Sequence, residues 1–437
     1  MDDLLSLKPD SVGKIVSSVG VRPNLRKLPL PEVSLFYVLI MHRRQMSSFV
    51  LLRLSSFAWL ALVQSCGNHT REASGADSDT TRKSEPVSAQ VLSVQNVRQV
   101  ASLRTARAAH TATTLRSGQV LVVGGMADGG SSLASVELID PATNTVEEIG
   151  SLAEPRVGHT ATLLGDGRVL ITGGYNGEYL ASVEVFDPST KRFGSGGSLA
   201  EGRSGHTATL LADGRVLLVG GLGRGWTFLR SAELFSPETG RSEPVDPMSV
   251  AREGHTSTLL ADGRVLVVGG HTGRRPNVQL HKTAELFSPK SRRFERTGDP
   301  AIARHKHDAI RLNDSRVLVI GGADYTDRVH FSTTEVYDTR TARFAAGPSM
   351  ANVRYKIAGT SALLPNGDVL VTSGATVAEL LDVGVWKFRA IEGRFPSAYR
   401  FAAVAPITNG GVLITGGYSD GNQNTAGVWR FADPSPR

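Results

Sequence analysis

The sequence predicts an all-β fold: a seven-bladed propeller with four antiparallel strands per blade, closed by an N-terminal strand that completes the last blade. Three observations predict it. A glycine pair ends an apolar run at Gly124-Gly125, Gly173-Gly174, Gly220-Gly221, Gly269-Gly270, Gly321-Gly322, Ser373-Gly374 and Gly416-Gly417, which marks seven units of about fifty residues. Fifteen positions before the second glycine stand His110, His159, His206, His255 and His307, with Gly359 and Ala402 in units six and seven, so the register repeats to the residue. The third observation is at the two ends of the array. Unit seven stops at Asp433-Pro434 without a fourth strand, while Asn96 to Leu103 has the spacing of a fourth strand with no unit in front of it.

Each unit opens on a strand of the type T-A-T-L-L, here called strand a. A D-G-R turn follows at Asp166, Asp213 and Asp262, with Ser117-Gly118 and Asn366-Gly367 in its place elsewhere. Such a turn between apolar runs is a hairpin signal, which makes R-V-L-V-V strand b. After the glycines and a loop of variable length comes S-V-E-V-F-D-P or S-A-E-L-F-S-P. This is an alternating strand c, ended at Asp187-Pro188, Ser236-Pro237 or Ser288-Pro289. Six residues beyond that Asp or Ser, Val146, Phe193, Phe294, Phe344 and Phe388 begin strand d. Val97 matches Phe193, so the N-terminal strand supplies strand d of unit seven and leaves no open edge in the ring.

The glycine pair, the V-E-x-F-D-P strand and the repeat length resemble kelch repeats over about four-fifths of the chain. The R-x-G-H-T-A-T-L-L and D-G-R-V-L-V-V-G-G wording is similar to the bacterial, galactose-oxidase-type branch of kelch propellers. The resemblance implies a kelch propeller that mediates protein contacts. It also keeps open a sugar-modifying activity, since propellers of this kind host both.

Before the repeats the chain divides into three parts. Residues 1–45 form a leader without a recognisable pattern, in front of a plausible start at Met41 or Met46. Residues 46–66 read as a secretory signal: Arg53, an apolar run from Leu54 to Val63, then Val63-Gln64-Ser65-Cys66. That ending resembles the lipobox of bacterial lipoproteins, which implies lipidation of Cys66, the sole cysteine of the chain. An uncleaved signal anchor and a plainly secreted protein are the other readings. Residues 67–89 are polar and poor in large apolar residues, a composition that cannot bury enough surface to fold, and are expected to be a tether. The propeller is expected over residues 90–437, in the cell envelope, held to the membrane through the lipid alone.

The formal charge of +7 does not imply nucleic-acid binding, because beyond Cys66 there remain 40 basic and 37 acidic residues. With one cysteine, no internal disulfide framework exists.

A residue that recurs in every unit is first suspected of holding the unit together, since chemistry needs a catalytic group only once. The histidines are therefore expected in structural hydrogen bonds. Glu137, Glu184, Glu233, Glu285, Glu335 and Glu379 lie within strand c between apolar residues and require partners. Arg107, Arg156, Arg203, Arg252 and Arg304 are equally periodic, and a ring of interblade Glu–Arg pairs is one expectation. The other places these arginines at the mouth of the central channel as a ligand-binding ring. In unit six the position falls on Lys356 by counting from the glycines and on Arg354 by counting from Met350.

Alternating strand direction puts the variable b–c and d–a loops on one face, where specificity is expected. Blade-specific candidates there are Tyr175 and Tyr179 in unit two, Arg224 and Trp226 in unit three, and the long loop from His271 to Lys282 with Arg274 and Arg275 in unit four. Unit five adds Asp324, Tyr325, Asp327, Arg328 and His330. No serine-histidine-aspartate elbow, phosphate loop or zinc spacing occurs, so no catalytic residue, cofactor or metal is expected. The expectation is a monomeric, envelope-anchored binding module for a protein or polysaccharide partner, with a sugar-modifying enzyme as the alternative.

Overall fold

The computed structural model describes residues 96–432; the leader, the signal with Cys66 and the polar tether lie outside the described residues. Blade one consists of strands Thr111–Thr114, Val120–Val123, Ser135–Asp140 and Thr145–Ser151, paired in that order and all antiparallel. Seven sheets of this form make a seven-bladed β-propeller. Strand a of each blade packs against strand a of both neighbours and is therefore innermost.

The local chemistry follows the sequence. In the a–b turn of blade two the Asp166 carboxylate accepts the backbone N–H of Arg168 at 3.0 Å, while Gly167 takes φ +95°. Such a φ carries no steric cost only for glycine. In blade two Phe186 of strand c lies opposite Phe193 of strand d, and the same pairing joins Phe287 to Phe294 and Tyr337 to Phe344.

Closure occurs as expected. The sheet of blade seven runs Asn96–Ser102, Gly427–Ala432, Val412–Thr415, Ala403–Pro406, with Val97 opposite Phe431. Arg430 Nη1 donates to Pro141 O at 2.9 Å, which ties this blade to blade one.

The core lies between blades rather than within them. Strand b alternates its side chains between two neighbours: Val120 and Val122 enter an apolar cluster with blade seven, Leu121 and Val123 one with blade two. Each of the seven interfaces has one such cluster. Strand b is buried on both faces, which is why its apolar run is unbroken. Each such side chain contributes about 1.5–3 kcal/mol relative to exposure.

The glycine pair serves the same interface. A Cβ on Gly173 would lie 2.5 Å from Arg203 O and 2.8 Å from His206 Cε1 of the next blade.

Candidate functional site

The periodic arginines do not face the channel. Arg107, Arg156, Arg203, Arg252, Arg304 and Arg354 are at most 1% exposed, and each guanidinium turns back into its own blade. Arg107 Nη1 donates to Gly124 O at 2.8 Å and Ser135 O at 3.0 Å, and its Nη2 lies 2.5 Å from Glu137. The corresponding distances are 2.7 Å for Arg156–Glu184, 2.7 Å for Arg203–Glu233, 2.6 Å for Arg252–Glu285, 3.0 Å for Arg304–Glu335 and 2.8 Å for Arg354–Glu379.

Two expectations are corrected by this geometry. The pairs form within blades, because both partners belong to the same blade. The Arg ring offers no ligand-binding surface, because its guanidinium groups are buried and their Nη donors are taken up by the glutamates and by carbonyls where the b–c ladder ends. What does cross between blades is the other side of each glutamate: Glu184 accepts the N–H of Ala153 at 2.9 Å, in the segment arriving from blade one. In blade six Arg354, not Lys356, holds the position.

The histidines join blades. His110 Nε2 lies 2.8 Å from Thr415 Oγ1, and His159, His206, His255 and His307 reach Thr111, Thr160, Thr207 and Thr256 of the preceding blade at 3.0–3.2 Å. Burial, reinforced by the nearby arginines, holds His159 and His255 down to about 3 and the other three well below the ordinary imidazole value. They are neutral structural groups.

Blade six has no such histidine, and Asp308 stands where blades one to four have the threonine that meets the histidine of the next blade. Its carboxylate accepts the N–H groups of Gly359, Thr360 and Ser361 at 3.0, 3.0 and 2.8 Å.

With the repeated residues assigned to the scaffold, the blade-specific ones stand out at the channel mouth on the b–c and d–a face. The residue two beyond each arginine sits in the left-handed region: Ala109, Gly158, Gly205, Gly254, Lys306, Lys356 and, in blade seven, Phe401, with φ between 50° and 65°. Glycine is the residue that adopts this conformation without strain. Hydrogen bonds between backbones link these residues across blades, as from Ala109 N to Phe401 O at 2.9 Å and from Lys306 N to Gly254 O at 2.8 Å.

Just outside them the residue after each arginine reads Ala108, Val157 and Ser204 in blades one to three, then Glu253, His305, Tyr355 and, in blade seven, Arg400. The mouth is thus apolar on one side and ionisable on the other. A cavity of about 70 Å³ lies on the apolar side, lined by Ala109, Val157, Gly158, Ser204, Gly205 and Leu222, with Glu253 and Phe401 at its margins.

On the ionisable side a run of polar groups connects blades four and five. Glu253 Oε2 lies 3.4 Å from His271 Nδ1, which lies 3.0 Å from His305 Nδ1. His305 Nε2 is 2.8 Å from Asp327, whose other oxygen meets Lys306 Nζ at 2.7 Å and Arg275 Nη2 at 2.8 Å. The Nδ1–Nδ1 contact requires one of the two rings to donate and the other to accept. Burial brings His271 down to about 4. Burial pushes Asp327 up, but the His305 hydrogen bond and the Lys306 ammonium outweigh it and hold the carboxyl far below its usual range. In blades six and seven the buried Lys356 Nζ donates to Tyr418 Oη at 2.7 Å, among the rings of Tyr355, Phe401 and Tyr418 at 5.3–5.7 Å.

A second cluster lies further out. Tyr175 and Tyr179 of blade two and Trp226 of blade three have ring centroids 5.1–5.9 Å apart, and the Arg274 guanidinium of blade four lies 4.0 Å over the indole. Tyr325 is 57% exposed and Arg328 is exposed on the blade-five loop.

The predicted Trp226, Arg274 and Arg275 therefore belong to two networks, while Tyr325 and Arg328 stand at the rim. Glu253, Lys306, Phe401 and Tyr418 were not singled out as site residues from the sequence, and Lys356 entered only as an alternative to Arg354 in the arginine series. Counting two residues beyond each arginine would have exposed Lys306, Lys356 and Phe401, since that column reads Ala, Gly, Gly, Gly, Lys, Lys, Phe.

Two blades carry the Kelch motif. It matches residues 106–153 and 155–194, which are blade one with its crossover and blade two. No curated protein matches the chain. Among solved structures, a fungal alcohol oxidase of the AA5 family in complex with copper is similar over 78% of this chain and 77% of that chain, with TM-score 0.63 and 13% identity. At that identity the likeness is one of fold. Among the described residues no group of three His, Cys, Asp or Glu side chains is placed to hold a metal ion.

Proposed function

We propose that this chain is a binding module of the bacterial cell envelope, lipid-anchored at Cys66, which presents its b–c and d–a loops to a protein or polysaccharide partner. One observation carries the reading: the repeated Arg, Glu and His residues are consumed by the scaffold, while the side chains that differ between blades collect on one face. A rigid ring with variable loops is a platform for recognition, and fold alone would not decide it.

The test captures partners from detergent-solubilised envelope with the full chain and with folded Trp226→Ala, Tyr325→Ala and Arg328→Ala variants, beside Asp213→Ala on the opposite face. A partner lost with the loop variants and kept by Asp213→Ala supports the reading. Loss only with Asp213→Ala sinks it. The anchor is tested separately, by incorporation of labelled palmitate that disappears in Cys66→Ser.

The run Glu253–His271–His305–Asp327 beside a cavity favours a second reading, an envelope enzyme acting on sugars, because such groups are what proton transfer requires. Turnover of a sugar that is abolished by His271→Gln in a folded variant would select it over the binding module.

A further inference from the structure

Among the described residues that line the cavity at the channel mouth, Glu253 alone is ionisable; around it stand Val157, Leu222, Phe401 and the small residues Ala109, Gly158 and Gly205. Its situation differs from that of the strand c glutamates. Each of those is joined to an arginine at 3.0 Å or less. Among the described residues no Arg or Lys comes within ion-pair distance of Glu253, whose Oε2 instead lies 3.4 Å from His271 Nδ1. With His271 brought down to about 4, that neighbour is uncharged at neutral pH.

The other carboxylate oxygen faces the cavity wall. Gly205, in that wall, holds φ +63°, and a Cβ placed on it would lie 3.1 Å from Glu253 Oε1. Glycine at this point keeps the approach to Oε1 open. Burial pushes the Glu253 carboxyl up, but the cations around it, His271 foremost once protonated, outweigh this and leave it below its usual range. It is therefore an anion at neutral pH. With 15% of its side chain exposed, it has given up most of its water without gaining a charged partner, and such a group favours any cation that can reach it. The lysines that border the mouth are directed to other groups: Lys306 Nζ meets Asp327 at 2.7 Å, and Lys356 Nζ donates to Tyr418 Oη at 2.7 Å.

We propose that the channel-mouth cavity binds a primary ammonium group at the end of a short apolar chain. The ammonium donates to Glu253 Oε1, and its other two N–H groups stay in water at the margin, where Ala109, Glu253 and Phe401 are half-buried. The carbons next to it lie against the buried Val157 and Leu222. At about 70 Å³ the cavity holds roughly two waters' share of liquid volume, so it takes the end of a chain and leaves the rest outside. The rim residues Trp226, Tyr325 and Arg328, through which a macromolecular partner is tested, do not line it. The inference thus goes beyond that reading and does not depend on it.

Saturation-transfer NMR on the full chain compares n-propylammonium with n-propanol, its uncharged counterpart, and with propionate, its anionic one. The parent is set beside Glu253→Gln and, on the opposite face, Asp213→Asn, after thermal melts show that all three are folded. For so small an amine an affinity of about millimolar is expected, with propanol and propionate weaker by about tenfold or more. Glu253→Gln is expected to bring the amine down to the level of the alcohol, and Asp213→Asn to change nothing. Nα-acetyl-lysine methylamide identifies the source: binding as strong as that of propylammonium assigns the site to a lysine side chain of a partner, and weaker binding to a free amine, the ammonium site standing in both cases. Propanol binding the parent as well as propylammonium does would overturn the proposal. So would a preference for the amine that survives in Glu253→Gln, or the absence of saturable amine binding. Should Glu253→Gln fail to fold, the comparison of amine and alcohol on the parent decides alone.

Discussion

Tyr399 and Trp429 pack with ring centroids 5.1 Å apart and planes tilted by 35° in blade seven, at the two positions that hold an arginine and a glutamate in each of the other six blades. Phe395 meets the same indole at 5.4 Å. An aromatic pair thus does for one blade what a buried ion pair does for six, joining the incoming crossover to strand c.

The substitution in blade seven predicts how the ion pairs respond to mutation. Removing one partner strands a buried charge, which costs about 3–5 kcal/mol, whereas replacing both with apolar residues of similar size is often near neutral. Arg203→Met is therefore expected to lower stability strongly, and Arg203→Met with Glu233→Leu to recover most of the loss. Denaturant titration of the three proteins checks this. A double variant no more stable than the single would mean that the carbonyl contacts of Arg203, at 2.9 Å to Gly220 O and 3.3 Å to Ser231 O, matter more than the charge pairing.

Asp308 makes a second local prediction. It collects three backbone N–H groups of blade six; Asp308→Ala would take this acceptor from Gly359 and Ser361, while Thr360 N keeps Ile357 O at 3.0 Å, and a group left unsatisfied costs about 1–3 kcal/mol. The expected result is a drop of several degrees in melting temperature, with protection against hydrogen exchange lost first at Gly359 and Ser361. Uniform loss across all blades would show that the contact has no local role.

The histidine straps predict the acid limit of the fold. His159 and His255 have folded values of about 3 and the other three lie well below the ordinary imidazole value of about 6.5, so below pH 6.5 the unfolded state binds more protons. The stabilisation they give is complete above pH 6.5 and declines as pH falls toward 3, by up to about 1.4 kcal/mol per pH unit for each histidine. Stability measured between pH 6.5 and 5 should fall steeply, and His159→Gln should make the slope shallower by one histidine's share. An unchanged slope in that variant would place the acid sensitivity elsewhere.

Fold and register were legible because each unit repeats the same solution: the glycine pair, the Asp-Gly turn and the Phe of strand d recur at fixed offsets and correct one another. The ends of the ring were legible for the same reason, since Val97 occupies the register of Phe193. The direction of the arginine side chains was not legible, because a periodic cation on an innermost strand is compatible with facing either the channel or the blade. Only the carbonyls exposed where the b–c ladder ends, such as Gly124 O and Ser135 O, decide it. The channel mouth was missed because its residues are defined by a conformation, φ near 60°, that a single blade does not reveal. Lys306, Lys356 and Phe401 become conspicuous only beside Gly158, Gly205 and Gly254.

That column also predicts opposite effects for two small substitutions. At Ala109, φ is 50°, a conformation that costs a residue with a Cβ about 1–2 kcal/mol. Ala109→Gly removes that strain and adds freedom to the unfolded chain, worth about 0.4–1 kcal/mol in the other direction, so stability should hold or rise slightly. Gly158→Ala introduces the same strain and brings a Cβ to 2.5 Å from Ser204 Oγ, so it should destabilise by more than the conformational cost alone. Thermal melts of the two variants test the pair. If Ala109→Gly destabilises as much as Gly158→Ala, the methyl group packs at the channel mouth strongly enough to outweigh its strain. The left-handed conformation of Lys306, Lys356 and Phe401 would then have to be read as packing rather than as strain retained for a site.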